Sequence, residues 1–398
     1  MKDYDVTIVG AGIVGILAAL ALAKTNVQIA VLDAKKIAPV VEADKINLVI
    51  NATSLKIFEA LGLGDVMTES VTSIDKCIIS ARDHFGRVRL SAKDLNESCL
   101  GKTIAADLLL NKLITKLQQH ENITCFSECE LTKISCDVEG ARELYYNKDG
   151  AVSSIRTKLL LAADGYNSTV RDLSNVKVIS ESFDYTAVLF HVAMDAIKNA
   201  ASQRFLSPGS IALIPGLENH ACIIWTLPQH KAKARLKLDP AQLMSLAQHD
   251  LGKSAGKITG LASRLMSYPV TMQRAEKITL PGLVFLGSVA NQLLPITAQG
   301  LNLAIRDIAV MCEVLSDFKV WDSLAAERYN ILRLDDHTAN YQQIKYLVRL
   351  FGVSNTGLNI LRSFGLSTVG ASLPMARKIT NIGFGNADYD FAARILDV

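Results

Sequence analysis

Three glycines, Gly10, Gly12 and Gly15, and one acid, Asp33, have the types and spacing to hold a dinucleotide. Gly10 allows a tight turn, Gly12 lets a pyrophosphate approach the backbone, and Gly15 lets a helix lie close on a strand. A helix that starts at such a turn offers free N–H groups and the positive end of its dipole to phosphates. Asp33 is placed to accept hydrogen bonds from a ribose diol. A glycine string alone is a weak signal, and context strengthens this one. A strand-type run at 5–9 enters the turn, a helix-forming stretch at 16–24 leaves it, and a second strand-type run at 27–32 ends on the acid.

The elements around this turn predict a large α/β architecture. With 398 residues, 49% of them hydrophobic, the chain can bury two cores, or one core with a large insertion. Residues 1–70 read as strand, helix, strand, loop, helix, the last helix spanning 54–62 with Ser54 as its N-cap. Residues 74–90 alternate as strands around a turn at 83–86, and 107–120 is helical by its leucine spacing. Strand-like pieces follow at 124–129, 131–137 and 143–147, and 158–163 is a continuous apolar run, as in a buried parallel sheet. Between 180 and 275 the pattern changes to short strands at 187–193, 210–214, 221–227 and 266–270, with a helix at 241–250, which predicts a separate, mostly antiparallel sheet. A buried strand at 283–287 and a helix at 300–315 return the chain to the first domain.

Composition excludes several functions. A net charge of +3 from nearly balanced acids and bases does not suit a nucleic-acid binder. The seven cysteines form no C-x-x-C pair and no even framework, so a reducing cytoplasm is expected. The seven histidines lack ligand spacing, so no metal site is expected. The apolar run at 8–23 carries nucleotide-turn glycines behind Asp3 and Asp5, which argues against a signal peptide. No stretch reaches the roughly 18–20 apolar residues of a spanning helix. The early fingerprint leaves no room for a transit peptide, and a bacterial cytoplasmic protein is expected.

Two further segments have chemical potential. Residues 161–171 contain Asp164-Gly165 at the end of a buried strand, followed by a helix from near Ser168. An ordinary strand–helix turn would look the same. Residues 287–307 run from Gly287-Ser288 through Pro295 to Gln299-Gly300-Leu301-Asn302 at a helix start, where backbone N–H groups suit an anion or an electron-rich ring edge. A connecting loop is the alternative there.

In this order and spacing the three segments resemble the group A FAD-dependent aromatic monooxygenases, and most closely the ubiquinone-biosynthesis hydroxylases. The late segment keeps the family's P-x-x-x-x-G-x-N, and 203–205, 209–215, 224–226, 349–352 and 361–366 also match family positions. The resemblance covers nearly the whole chain. It implies a glutathione-reductase-type FAD-binding Rossmann domain, formed by 1–179 and 276–335. An inserted, mostly antiparallel β-sheet substrate domain (180–275) and a C-terminal helical region (336–398) complete the expected fold. By position, Gly10, Gly12, Gly15 and Asp33 would hold the ADP part of FAD. Asp164 and Gly165 would lie near FAD and serve the use of NAD(P)H. Gly287 and Ser288 would face the ribitol, and Gln299, Gly300, Leu301 and Asn302 the isoalloxazine. Lys45 would stand in the family's early basic position, and Pro295 beside the reactive face of the flavin, as the catalytic-site residue. The implied activity uses NAD(P)H and O2 to hydroxylate the ring of a polyprenylated phenol in ubiquinone biosynthesis.

The chain departs from the family at four places. Ser288 replaces Asp or Asn, Asn291 replaces His, Lys45 replaces Arg, and Ala106 replaces a polar residue. Lysine keeps the charge without the planar fork, and alanine keeps neither charge nor hydrogen bond. These changes keep open a second reading, an FAD-poor accessory member of the family in a quinone-synthesis complex. A flavin reductase or halogenase has no positive signal. The stretch 337–387 is free of acids and carries Lys345, Arg349, Arg362, Arg377 and Lys378. It reads either as a helical cap or as a surface for anionic membrane or a quinone-synthesis partner.

Overall fold

The computed structural model describes residues 2–352 except 26, 41–45, 83–86, 137–139, 197–198, 295–297 and 319–322. Lys45, Pro295, Arg362, Arg377 and Lys378 therefore lie outside the described residues, as do the expected turn at 83–86 and the family-like positions at 361–366. The chain opens with β1 (Lys2–Val9), α1 (Ile13–Leu22), β2 (Ile29–Leu32), β3 (Asn47–Asn51), α2 (Ala52–Ala60) and β4 (Thr72–Ile74). Next come β5 (Lys76–Ala81), β6 (Arg87–Ser91), β7 (Gly101–Ala105), α3 (Ala106–Leu117) and β8 (Ile123–Phe126). β9 (Glu130–Cys136), β10 (Arg142–Lys148) and β11 (Ala151–Ala162) lead to α4 (Thr169–Leu173). A second set follows: β12 (Val178–Met194), β13 (Ala200–Phe205), β14 (Ser210–Pro215), β15 (His220–Pro228), α5 (Gln229–Arg235), α6 (Pro240–Leu251), β16 (Ile258–Leu261) and β17 (Met266–Ala275). The return is β18 (Thr279–Leu280), β19 (Leu283–Phe285), β20 (Asn291–Gln292), α7 (Gln299–Phe318) and α8 (Ser323–Gly352).

In the first sheet β8, β2, β1, β11 and β19 run parallel in that order. Val9 lies opposite both Leu32 and Ala162, and Ala162 lies opposite Phe285. Four strands thus end level, and the residues after them, Asp33, Gly10, Ala163 and Leu286, emerge side by side. At about 4.8 Å per strand these exits span roughly 15 Å. α1 crosses from β1 to β2 and is buried on every side from Gly15 to Leu22, because it is held between the sheet, α3 and α7.

The second sheet has the order β20-β17-β12-β15-β14-β13-β5-β6, with β16 also on β12. Strand alternation sorts its side chains into two layers. Val188, Phe190, Val192, Ile211, Leu213, Ile223 and Trp225 pack under α6. Ala187, Leu189, Ala212, Ile214 and Ile224 point the other way, toward Leu293, Leu294, Leu303 of α7 and Tyr341 and Ile344 of α8. The hairpin β5–β6, from within 1–179, joins this sheet through a parallel pairing of β5 with β13. A small sheet, β3-β7-β4, bridges the lobes: Thr103 Oγ1, buried, donates to the Pro215 carbonyl at 2.6 Å.

Several expected boundaries shift. The helix expected at 54–62 begins at Ala52, and its cap is Asn51, whose side chain accepts from the Ser54 N–H at 2.8 Å. β3 runs into α2 without a loop, so the turn residue is one strand-end earlier than the serine. β12 starts at Val178 rather than near 187 and carries a register shift between Ser182 and Tyr185, with Asp184 at φ 52°. α8 runs unbroken through the expected boundary at 335/336.

α7 and α8 are joined by buried charge. Asp307, fully buried, accepts from Arg333 Nε at 2.9 Å and lies 2.8 Å from His337 Nε2. Asp336 takes Arg333 at 2.7 Å and Arg306 at 3.2 Å. Burial by itself would raise both carboxyls, but His337 and Arg333 beside Asp307, and Arg333 and Arg306 beside Asp336, hold both below the usual aspartate range. Losing one member leaves an uncompensated buried charge, which costs about 3–5 kcal/mol. Asp307→Asn is therefore expected to lower stability in urea unfolding at pH 7 by about 3 kcal/mol or more. The unfolded chain takes up these protons first as pH falls. The stability of the natural protein should thus decline below the ordinary aspartate value of 3.8, and the Asp307→Asn protein should lose less over the same range.

Candidate functional site

The level edge of the first sheet brings together the segments that the sequence singled out. Gly10 has φ 104°, and a Cβ there would stand 2.4 Å from the Ala163 carbonyl oxygen. A Cβ on Gly15 would stand 1.8 Å from the Gly10 carbonyl oxygen. The protein's own packing demands both glycines. Gly12 differs: it is exposed, and a Cβ there would meet nothing within 4 Å. It is also the N-cap of α1 and supplies no side-chain cap, so the first-turn N–H groups have no side chain to bond.

Asp33 is half-buried beside this opening. Its Oδ2 accepts from the Ala11 N–H at 2.6 Å and its Oδ1 from the Lys35 N–H at 2.7 Å. A carboxylate has about four acceptor positions, so two remain for a diol. Asp33 thus braces the glycine turn as well as facing it, a role the sequence did not disclose.

On the other side of β1, Asp164 Oδ1 accepts from Ser168 Oγ at 2.6 Å and its Oδ2 from the Val170 N–H at 3.1 Å. Ser168 caps α4 as expected, accepting from the Arg171 N–H at 3.0 Å. Burial pushes the Asp164 carboxyl up against the lowering pull of these donors. Gly165 has φ 91° with open space around its Cα. Arg171, buried, donates to the Tyr166 carbonyl at 2.7 Å and to the Val289 carbonyl at 3.3 Å. It straps the Asp164 turn to the Gly287 turn, and the sequence offered only a buried arginine inside a turn motif as its signal.

Gly287 has φ 58°, and a Cβ there would lie 3.3 Å from both Val14 and Ala304, so this turn packs between α1 and α7. Ser288 beside it is half-buried. At the start of α7, Gly300 is exposed with open space and Leu301 is half-buried, while Gln299 and Asn302 are buried. The Asn302 side chain is turned inward. Its Oδ1 accepts from the Asn51 N–H at 3.0 Å, and its Nδ2 donates to Val49 and Ala298 carbonyls at 2.8 and 2.7 Å. It ties α7 to β3. Ala106, half-buried, opens α3 and bonds through its backbone N–H to the Ile46 carbonyl at 2.9 Å.

Across from α7 lies the apolar wall of the second sheet. Cys222 in that wall is fully buried, and desolvation pushes its thiol up to about 11, so it is no nucleophile at neutral pH. The open space at Gly12, the uncapped α1 start and the two spare acceptor positions of Asp33 fit the ADP part of FAD. The residues can bind, orient and exclude water, and redox chemistry would come from the bound group.

Comparison with known proteins places the chain among flavoprotein relatives in sequence and in fold. The FAD binding domain family matches residues 3–319. An uncharacterized protein of Synechocystis sp. is 28% identical over 384 residues, 95% of this chain and 92% of its own. The 3-demethoxyubiquinol 3-hydroxylase of Escherichia coli is 25% identical over 374 residues, 92% of this chain and 94% of its own. Among solved structures, the p-nitrophenol 4-monooxygenase PnpA of Pseudomonas putida shares the fold at 16% identity, with a TM-score of 0.76 and coverage of 100% of this chain and 99% of that one.

The glycines should separate in experiment. Gly12→Val is expected to fold and melt like the natural protein but to lose FAD in a flavin-binding titration. Gly15→Val is expected to lose the fold itself in far-UV circular dichroism, because its added carbon overlaps the Gly10 carbonyl.

Proposed function

Since this chain belongs to the FAD binding domain family, we propose that it is an FAD-dependent monooxygenase that hydroxylates the aromatic ring of a polyprenylated phenol in ubiquinone biosynthesis. The observation that carries this reading is the meeting of the three singled-out segments on four level strand ends at one sheet edge, with an apolar wall across α7. The E. coli relative's name supports the substrate class. Bound FAD would supply the redox chemistry, with two electrons coming from NAD(P)H and O2 giving one oxygen atom to the ring and the other to water.

The chain's own residues do the rest. Gly12 and the start of α1 would receive the pyrophosphate, and Asp33 the ribose. The Gly287 turn with Ser288 and the start of α7 would flank the remainder. Ala187, Leu189, Ala212, Ile214 and Ile224 form a dry surface suited to an apolar ring and the first units of its tail.

A second reading, an FAD-poor accessory member in a quinone-synthesis complex, is favoured by Ser288 and Ala106, neither of which can supply a charged contact. The site proposed here is expected to be cytoplasmic in a bacterium, which suits seven free cysteines, two of them exposed. Among the described residues no helix is long and apolar enough to cross a membrane. Within 337–352 the basic residues are partly engaged: Lys345 pairs with Glu181, and Arg349 lies 4.0 Å from the same carboxylate. Contact with anionic membrane or a quinone-synthesis complex therefore falls to the basic residues farther along the sequence.

The purified protein is expected to be yellow, to be bleached by NAD(P)H without oxygen, and to hydroxylate a prenylated phenol when oxygen returns. Cells lacking it should accumulate the unhydroxylated precursor. A colourless protein that copurifies with other quinone-synthesis proteins would favour the accessory reading. Reversing the charges of Arg377 and Lys378 should weaken sedimentation with anionic vesicles, most clearly at low salt. Unchanged sedimentation would remove the membrane-contact reading.

A further inference from the structure

α8 lies beyond the family-matched segment, yet it is bonded to both elements that flank the proposed cofactor site. Asn291 Nδ2 donates to the His337 carbonyl at 3.1 Å, which fastens β20, just after the Gly287 turn, to the middle of α8. The His337 ring lies 2.8 Å from Asp307 on α7, where Arg333 also bonds. One residue of α8 therefore grips β20 through its backbone and α7 through its side chain. Asn291, Asp307, Arg333 and His337 are all buried, so water does not compete for these bonds. Among the described residues the Asn291 Oδ1 has no partner, and the bond to His337 is the one that fixes the amide. The pairing of Arg306 on α7 with Asp336, which Arg333 also holds within α8, adds to the register of α8 on α7. A slip of one residue along α8 would break each of these contacts that crosses to α7 or β20.

We propose that Asn291 and His337 are positioning residues for the flavin. Through them α8 ties β20, just after the Gly287 turn, to α7 at Asp307. This rests on the reading that FAD occupies that edge. Gly287 is already packed against Val14 and Ala304, so losing the Asn291 bond leaves the local core intact. Its effect should fall on the cofactor and not on folding.

The test is FAD titration of the full chain, with the visible circular dichroism of the bound flavin and the melting temperature of the apoprotein recorded for each variant. Asn291→Leu keeps size and burial but removes the donor. It is expected to bind FAD about ten-fold more weakly, the equivalent of one hydrogen bond, with an altered visible signal and an unchanged apoprotein melt. His337→Gln keeps a donor toward Asp307 and is expected to stay close to the natural protein, while His337→Leu should weaken FAD and, by taking a partner from the buried Asp307, also lower the melt. Natural affinity and natural visible signal in both leucine variants would overturn the proposal. If Asn291→Leu fails to fold, Asn291→Ala, which also lacks the donor, carries the same comparison. A natural chain that takes up no FAD would overturn the functional reading at the control titration, before any variant is compared.

Discussion

Helix α1 can lie on β1 only because residue 15 has no side chain. With its missing carbon 1.8 Å from the Gly10 carbonyl, the helix axis is drawn down until backbone meets backbone. That approach places the helix start at the end of the strand. It also sets Val14 against Gly287, which carries the constraint across to α7. Asp33 and Arg171 then lock neighbouring turns to this one, Asp33 through the Ala11 N–H and Arg171 through the carbonyls of Tyr166 and Val289. The site is thus a chain of backbone contacts with few side chains pointing into it. This suits a protein whose reacting atoms belong to a bound group.

The parts of the fold written in a single period were legible. The fingerprint, the apolar strand at 158–163 and the helix at 241–250 each announce themselves within a dozen residues. The parts that depend on distant partners were not. The first half of β12, residues 178–185, interrupts its apolar alternation with Glu181 between Ile179 and Phe183, and it becomes strand because β17 pairs with it. Its own partner, Pro269, argues against a strand and is tolerated within β17. The β5–β6 hairpin was legible as strands, but its place in the second sheet comes from β13, more than a hundred residues on.

The same division holds in the site. Glycine positions could be named from spacing, because each answers to a steric rule. The inward turn of Asn302 could not, since an asparagine at a helix start suits a ligand or a strand equally well. Here it secures Asn51 and Val49, and in doing so keeps the bridging sheet against α7. The buried charges of α7 and α8 were also invisible, because Arg333, Asp336 and His337 sit in a long helix that looks solvated by composition alone.

Strand order has a consequence for the birth of the molecule. β19 completes the parallel edge beside β11, and β12 to β17, the larger part of the second sheet, are threaded between them in sequence. On the ribosome, the glycine turn therefore emerges long before the turn at Gly287 that must close against it. At about 5–20 residues per second, that delay is on the order of tens of seconds. Throughout it the nascent chain holds an apolar helix and an open sheet edge with their final neighbours still unmade, an exposure that a chaperone would have to shelter.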